Sequence, residues 1–84
     1  MTEVVFFGAA WCRPCKAARP VAERACDELG LYLEYVDVES YDSRANGITS
    51  IPTVRTYDDH GEVTGELRGN VTRDALDKLL GGLA

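Results

Sequence analysis

Four successive apolar residues, Val4-Val5-Phe6-Phe7, open the hydrophobic pattern of this chain. An unbroken apolar run covers both faces of a strand, as in the middle of a parallel sheet, so Thr2 to Gly8 is predicted as a strand. The period then changes. Ala18, Val21, Ala22, Ala25 and Leu29 recur at i, i+3, i+4, i+7 and i+11, which is one buried stripe of a helix over Arg13 to Leu29. Pro14 falls in its first turn, where a missing N–H costs nothing. Gly30 is placed to stop it. Pro20 lies inside and is expected to kink it, because one i→i−4 bond is lost.

Leu31 to Val38, rich in Leu, Tyr and Val, reads as a second strand. A strand, a long helix and a strand make a right-handed βαβ unit. Ser40 to Asn46 reads as a short helix ending at Gly47. Thr53 to Tyr57 and Glu62 to Arg68 read as strands joined by Asp58-Asp59-His60-Gly61, an ordinary hairpin loop length. Thr72 is a good N-cap for a last helix with Ala75, Leu76, Leu79, Leu80 and Leu83 on its apolar face, ended by Gly81-Gly82. Asp74 and Lys78 stand at i, i+4 in the favourable order. The expected order is βαβαββα: an α/β fold with a four-stranded mixed sheet flanked by helices.

Length and composition narrow what such a fold can do. Eighty-four residues make a single domain, 1–84, burying about 60–65% of its unfolded surface, with no room for a large enclosed substrate cavity. A hydrophobic fraction of 45% and a charged fraction of 27% are those of a folded globule. The net charge is −5 and no basic run occurs, so a nucleic acid partner is not expected. The apolar run is far below the ~18 residues that span a bilayer. No basic segment or processing site marks a signal peptide. A cytoplasmic monomer without a membrane partner is the expectation.

Three cysteines remain, Cys12, Cys15 and Cys26. An odd number does not suit a disulfide scaffold. Zinc needs about four ligands, and beyond Cys12 and Cys15 only Cys26, His60 and carboxylates are available. Cys26 follows Cys15 by eleven residues, about 16 Å along a helix, too far for a shared metal or disulfide. It reads as a small helix residue at the core edge. His60, in an Asp/Gly turn, reads as a solvated loop residue. Arg55, in a central strand, is expected to pair across the sheet with Glu3, Glu62 or Glu66.

Trp11-Cys12-Arg13-Pro14-Cys15-Lys16 lies where the first strand hands over to the long helix. A cysteine at a helix N-terminus faces unpaired N–H groups and the positive end of the helix dipole, which favour its thiolate. Arg13 adds charge of the same sense. Cys12 is therefore the expected nucleophile, and Cys15, one turn further in, the resolving thiol. Attack by Cys12 on a disulfide gives a mixed disulfide that Cys15 resolves.

At these residues the chain resembles the thioredoxin family. Trp11-Cys12-Arg13-Pro14-Cys15-Lys16 matches its active-site motif, with Arg13 at the usual Gly. Pro20 matches its helix proline. Gly47-Ile48-Thr49-Ser50-Ile51-Pro52-Thr53 resembles its cis-proline segment, Gly61-Glu62-Val63 its hairpin turn, and Gly69 the glycine closing its substrate groove. The resemblance implies a minimal thioredoxin-like fold and a reductant of protein disulfides. It implies a cis Pro52 against the dithiol, and a docking surface of Trp11, Ile51, Pro52 and Gly69. There the Ile51 backbone would pair with an extended substrate segment. Arg13, Pro14 and Lys16 would tune the dithiol. No bound cofactor or metal is implied. Electrons would come from a separate reductase, of thioredoxin reductase type, or a thiol pool.

Three departures from the family stand out. Cys12 comes eleven residues after the start, so the usual first strand and helix are missing from this sequence. The result is similar to the minimal architecture of glutaredoxins and small thioredoxin-like proteins. The family's buried Asp is Phe6 here, and its Lys partner aligns with Tyr35, so the base for Cys15 is open. Arg13 is expected to make the reduced form less reducing. Two alternatives stay open. One is a glutathione-linked, glutaredoxin-like electron donor, for example to ribonucleotide reductase, although Gly69-Asn70-Val71 lacks that family's paired-Gly-plus-Asp motif. The other is a metal-binding or interaction module.

Overall fold

In the computed structural model, which describes residues 2–81, the Val4–Phe7 run lies inside strand β1 (Glu3–Gly8). All four side chains are fully buried. The other strands are β2 (Leu33–Asp37), β3 (Thr53–Tyr57) and β4 (Val63–Arg68), in sheet order β2-β1-β3-β4. β1 runs parallel to β2 and antiparallel to β3, and β3 runs antiparallel to β4. Helices α1 (Arg13–Glu28) and α2 (Arg73–Leu80) complete the fold.

Alternation along β1 divides the core in two. Val4 and Phe6 pack with Ala18, Ala22 and Ala25 of α1 and Leu76 and Leu80 of α2, so both helices cover one face of the sheet. Val5 and Phe7 point the other way and pack with Val36 and Tyr57, under Ala45, Ile48 and Ile51. Small alanines on α1 let that helix approach the sheet closely, and the large side chains on β1 fill the space between.

The local signals behave as their chemistry dictates. α1 runs through Pro20 and is capped at Leu29. Gly30 follows at φ +71°, the left-handed conformation that a side chain disfavours. The Thr72 hydroxyl accepts the Ala75 N–H at 3.2 Å to start α2. Leu83 and Gly82 lie outside the described residues. Arg55 pairs with Glu66, its register partner on β4, at 2.6 Å. β4 starts at Val63 rather than Glu62, and its pairing with β3 shifts register at Thr56/Tyr57.

One predicted element differs. Ser40–Asn46 is not an α-helix; only Ser43–Ala45 form a single 3₁₀ turn. Polar side chains there take the backbone donors a helix would use. Asp37 accepts the Glu39 N–H at 2.8 Å, and Asp42 accepts the Arg44 N–H at 2.9 Å. Such local bonds favour turns over helix. No residue of the turn is fully buried, and Tyr41 before it is fully exposed, so no apolar stripe pulls the segment into a helix.

Candidate active site

Cys12 is the N-cap of α1, with extended backbone at φ −87° and ψ 106°. Its Sγ accepts the backbone N–H of Cys15 at 3.2 Å. Cys12 and Cys15 are joined as a disulfide, with Cα atoms 5.3 Å apart. Both are nearly covered, Cys12 at 5% and Cys15 at 2% exposure. Shielding thus differs little between them. The N–H aimed at the Cys12 sulfur does distinguish them, because a helix-end donor stabilises a thiolate. No acidic residue lies in the first turn of α1, while Arg13 and Lys16 are exposed beside the pair.

Trp11, 67% exposed, projects next to Cys12. On the other side the chain re-enters the sheet through the Ile51–Pro52 bond, which is cis. The Pro52 carbonyl accepts the Gly69 N–H at 2.9 Å, and Gly69 takes φ +82°. An open groove of about 510 Å³ brings Pro14 together with Pro52 and Gly69, with Val21, Val71 and Arg73 among its walls. Ile51 does not line this groove. Its side chain is partly buried and packs on both halves of the core.

The opposite side of α1 brings Cys15, Lys16 and Tyr35 together with two residues that the sequence motifs did not single out, Arg19 and Asp37. A second open cavity, of about 370 Å³, is walled by Cys15, Lys16, Arg19, Tyr35 and Asp37, with Ala9 and Ala10 at its rim. The Arg19 guanidinium lies over the Tyr35 ring, 4.0 Å from its centroid, and the Tyr35 ring stacks on Phe6. Strand alternation was the available signal, since Tyr35 and Asp37 share one face of β2.

Cys26 takes no part. It is 1% exposed within the α1–sheet core, and burial pushes its thiol above the usual value. It lies in the core itself rather than at its edge. His60 is exposed in the hairpin turn. Among the described residues no group of three or more His, Cys, Asp or Glu could hold a metal ion, and no helix is long and apolar enough to cross a membrane.

Residues 2–81 match the family model described as thioredoxin. Thioredoxin of Bacillus subtilis is 37% identical over 78 residues, covering 88% of this chain and 74% of the relative. Thioredoxin of Chlamydia muridarum is 36% identical over 84 residues, covering 92% and 78%. A structure of Plasmodium falciparum thioredoxin superposes with a TM-score of 0.83 at 31% identity, covering 99% of this chain and 82% of that one. With a paired dithiol at a strand–helix junction, these matches make the chain a thiol–disulfide oxidoreductase. It belongs to the thioredoxin family.

Proposed function

We propose that the protein, acting as a single-domain monomer, reduces protein disulfides, with Cys12 as the attacking thiol and Cys15 as the resolving thiol. The observation that carries this assignment is the Cys15 N–H held on Cys12 Sγ at 3.2 Å, since the same donor stabilises a Cys12 thiolate after reduction. The thiolate attacks one sulfur of a substrate disulfide. The Cys12–substrate bond forms and the other substrate sulfur leaves as a thiolate. Cys15 then attacks Cys12, the Cys12–Cys15 bond forms, and the second substrate sulfur leaves. The protein dithiol loses two electrons and the substrate gains them.

The substrate segment lies beside Trp11 and against Pro52 and Gly69, pairing with the Ile51 backbone by strand addition. Backbone pairing reads few side chains, and a shallow open groove suits a disulfide carried on another protein. Arg13, Pro14 and Lys16 set the electrostatics and stiffness around the dithiol. No bound cofactor enters these steps. A separate reductase of thioredoxin reductase type, or a thiol pool, returns the electrons. A reductant of this kind belongs in a compartment that keeps thiols reduced, the cytoplasm.

The deciding measurement is the potential of the Cys12–Cys15 couple in glutathione buffers. A value near about −270 mV supports a reductant, whereas about −120 to −180 mV makes it an oxidant or isomerase. Insulin reduction driven by NADPH with thioredoxin reductase, run beside the same assay with glutathione and its reductase, identifies the electron source. Faster turnover in the glutathione arm favours the glutaredoxin-like alternative.

A further inference from the structure

We infer that Asp37 is the proton acceptor for Cys15 in the resolving step, working through the open cavity that the two residues share. The inference rests on the reading of Cys15 as the resolving thiol. In the family resemblance a buried Asp at the position of Phe6 would serve that thiol. Phe6 is fully buried and apolar here, so a carboxylate for Cys15 has to be sought elsewhere in the fold.

The sheet register supplies one. Phe6 lies opposite Tyr35, and Gly8 opposite Asp37. Residues directly paired on parallel strands share a face, so Asp37 points to the α1 side, where Cys15 lies. At Gly8 itself the packing on that side is close. A Cβ added to it would stand 3.3 Å from Cys15 Cβ. Cys15 therefore packs against the β1 position that pairs with Asp37.

Both residues line the same cavity of about 370 Å³, large against the ~30 Å³ that each water occupies in the liquid. The other polar groups facing it are Lys16 and Arg19 from α1 and Tyr35 from β2. β1 contributes no titratable side chain at Phe6 or Gly8. Lysine and arginine offer donors only, and a phenol is a poor base, whereas an ionised carboxylate is acceptor-only. Arg19 is also occupied by the Tyr35 ring and lies 3.8 Å from Glu23. Asp37 Oδ1 accepts the Glu39 N–H at 2.8 Å, which fixes the carboxylate at the cavity wall.

In the step itself, the Cys12 sulfur is bonded to the substrate and Cys15 is a thiol. Asp37 takes the thiol proton through an intervening water. The Cys15 sulfur attacks Cys12, the Cys12–Cys15 bond forms, and the substrate sulfur departs with the bonding pair. Solvent then removes the proton from Asp37.

The test uses the reduced protein and an aryl disulfide, 5,5′-dithiobis(2-nitrobenzoate), by stopped flow. The first aryl thiolate released reports attack by Cys12, and the second reports resolution by Cys15. Asp37→Asn keeps an acceptor for the Glu39 N–H. It is expected to leave the first phase unchanged and slow the second about tenfold or more at pH 7. The gap should close as pH rises through the ordinary thiol range, about 8–9, and Asp37→Glu should recover part of the rate. A second phase equal to wild type at every pH overturns the inference. So does one slowed by the same factor at every pH, which marks a structural role. Cys15→Ser keeps the two questions apart. It should retain the first phase and lose the second; loss of the first phase refutes the thiol assignments whatever Asp37→Asn does.

Discussion

Phe6 and Tyr35 stand side by side on β1 and β2, their ring centroids 6.0 Å apart and their planes inclined by 22°. They occupy the two positions where the family resemblance leads to a buried Asp and its Lys. The substitutions are coupled by physics. A carboxylate at position 6 would be fully buried, and without a cation beside it the desolvation cost would stand uncompensated. With both changed, the site becomes an aromatic contact, closed from outside by Arg19 over the Tyr35 ring.

Phe6→Asp alone is therefore expected to cost about 3–5 kcal/mol, the range for losing a buried Phe or stranding a buried charge. Adding Tyr35→Lys should restore about 1 kcal/mol or more of coupling. Urea unfolding of the two single variants and the double variant measures it. Strictly additive costs would show that the two positions do not communicate.

Gly8 is where the sheet and the dithiol press closest. An added Cβ would lie 3.1 Å from a Phe6 ring carbon, 3.2 Å from a Tyr35 ring carbon and 3.3 Å from Cys15 Cβ. All three neighbours are packed, so none yields freely. Gly8→Ala is expected to destabilise by about 1–3 kcal/mol through overpacking and to slow resolution by Cys15. Gly69→Ala makes an informative contrast. Nothing lies within 4 Å of its Cβ, but φ is +82°, so its cost of about 1–2 kcal/mol comes from backbone conformation alone. Thermal melts and two-phase thiolate release, run on both variants, separate the effects. A Gly8→Ala protein with wild-type resolution would mean that Cys15 moves without consequence.

Arg13 stands where the resemblance has Gly, exposed beside Cys12. Its charge favours the Cys12 thiolate and so the reduced form. An exposed interaction of this kind amounts to about 0.3–1 kcal/mol. At 30 mV for each 1.4 kcal/mol, Arg13→Gly should make the potential more negative by about 5–20 mV. Equilibration with glutathione at low and moderate salt checks both sign and screening. An unchanged or less negative value sinks the idea.

The legible part of this structure was written in short-range chemistry. The apolar run of β1, the alanine stripe of α1, the Thr72 cap and the Arg55–Glu66 pair each follow from periodicity or register. The Cys12–Pro14–Cys15 segment announced itself because thiol spacing and helix start coincide. What stayed hidden depends on distance in sequence. Asp37 meets the Cys15 cavity only because β2 pairs with β1 in one register. Arg44 gathers partners from as far as Glu3, 41 residues away. The Ser40–Asn46 segment has a composition that allows a helix, while its side chains cap a turn. Cys26 reads from sequence as a core-edge residue because periodicity gives the angle of a helical residue but not the depth of the core above it.

Arg44 carries the last prediction, on acid stability. From the 3₁₀ turn it binds Glu3 of β1 at 2.5 Å, Glu34 of β2 through both carboxylate oxygens at 3.0 and 2.6 Å, and Asp42 at 2.6 Å. It thus ties the turn to the sheet beneath it. Hydrogen bonds from Arg44 hold the Asp42 carboxyl down to about 2, from an ordinary 3.8, and lower Glu34 from 4.5. Folded-state values below the unfolded ones mean that the native state resists protonation. The contribution is complete above the unfolded values and is lost as pH falls from about 4.5 toward 2. Arg44→Met should lower the urea midpoint at pH 7, and the wild-type and variant midpoints should converge across that acid window. Because these side chains are partly exposed, added salt should narrow the gap at pH 7 as well. A gap that persists undiminished at pH 2 would assign the role of Arg44 to packing of its aliphatic stem rather than to its charge.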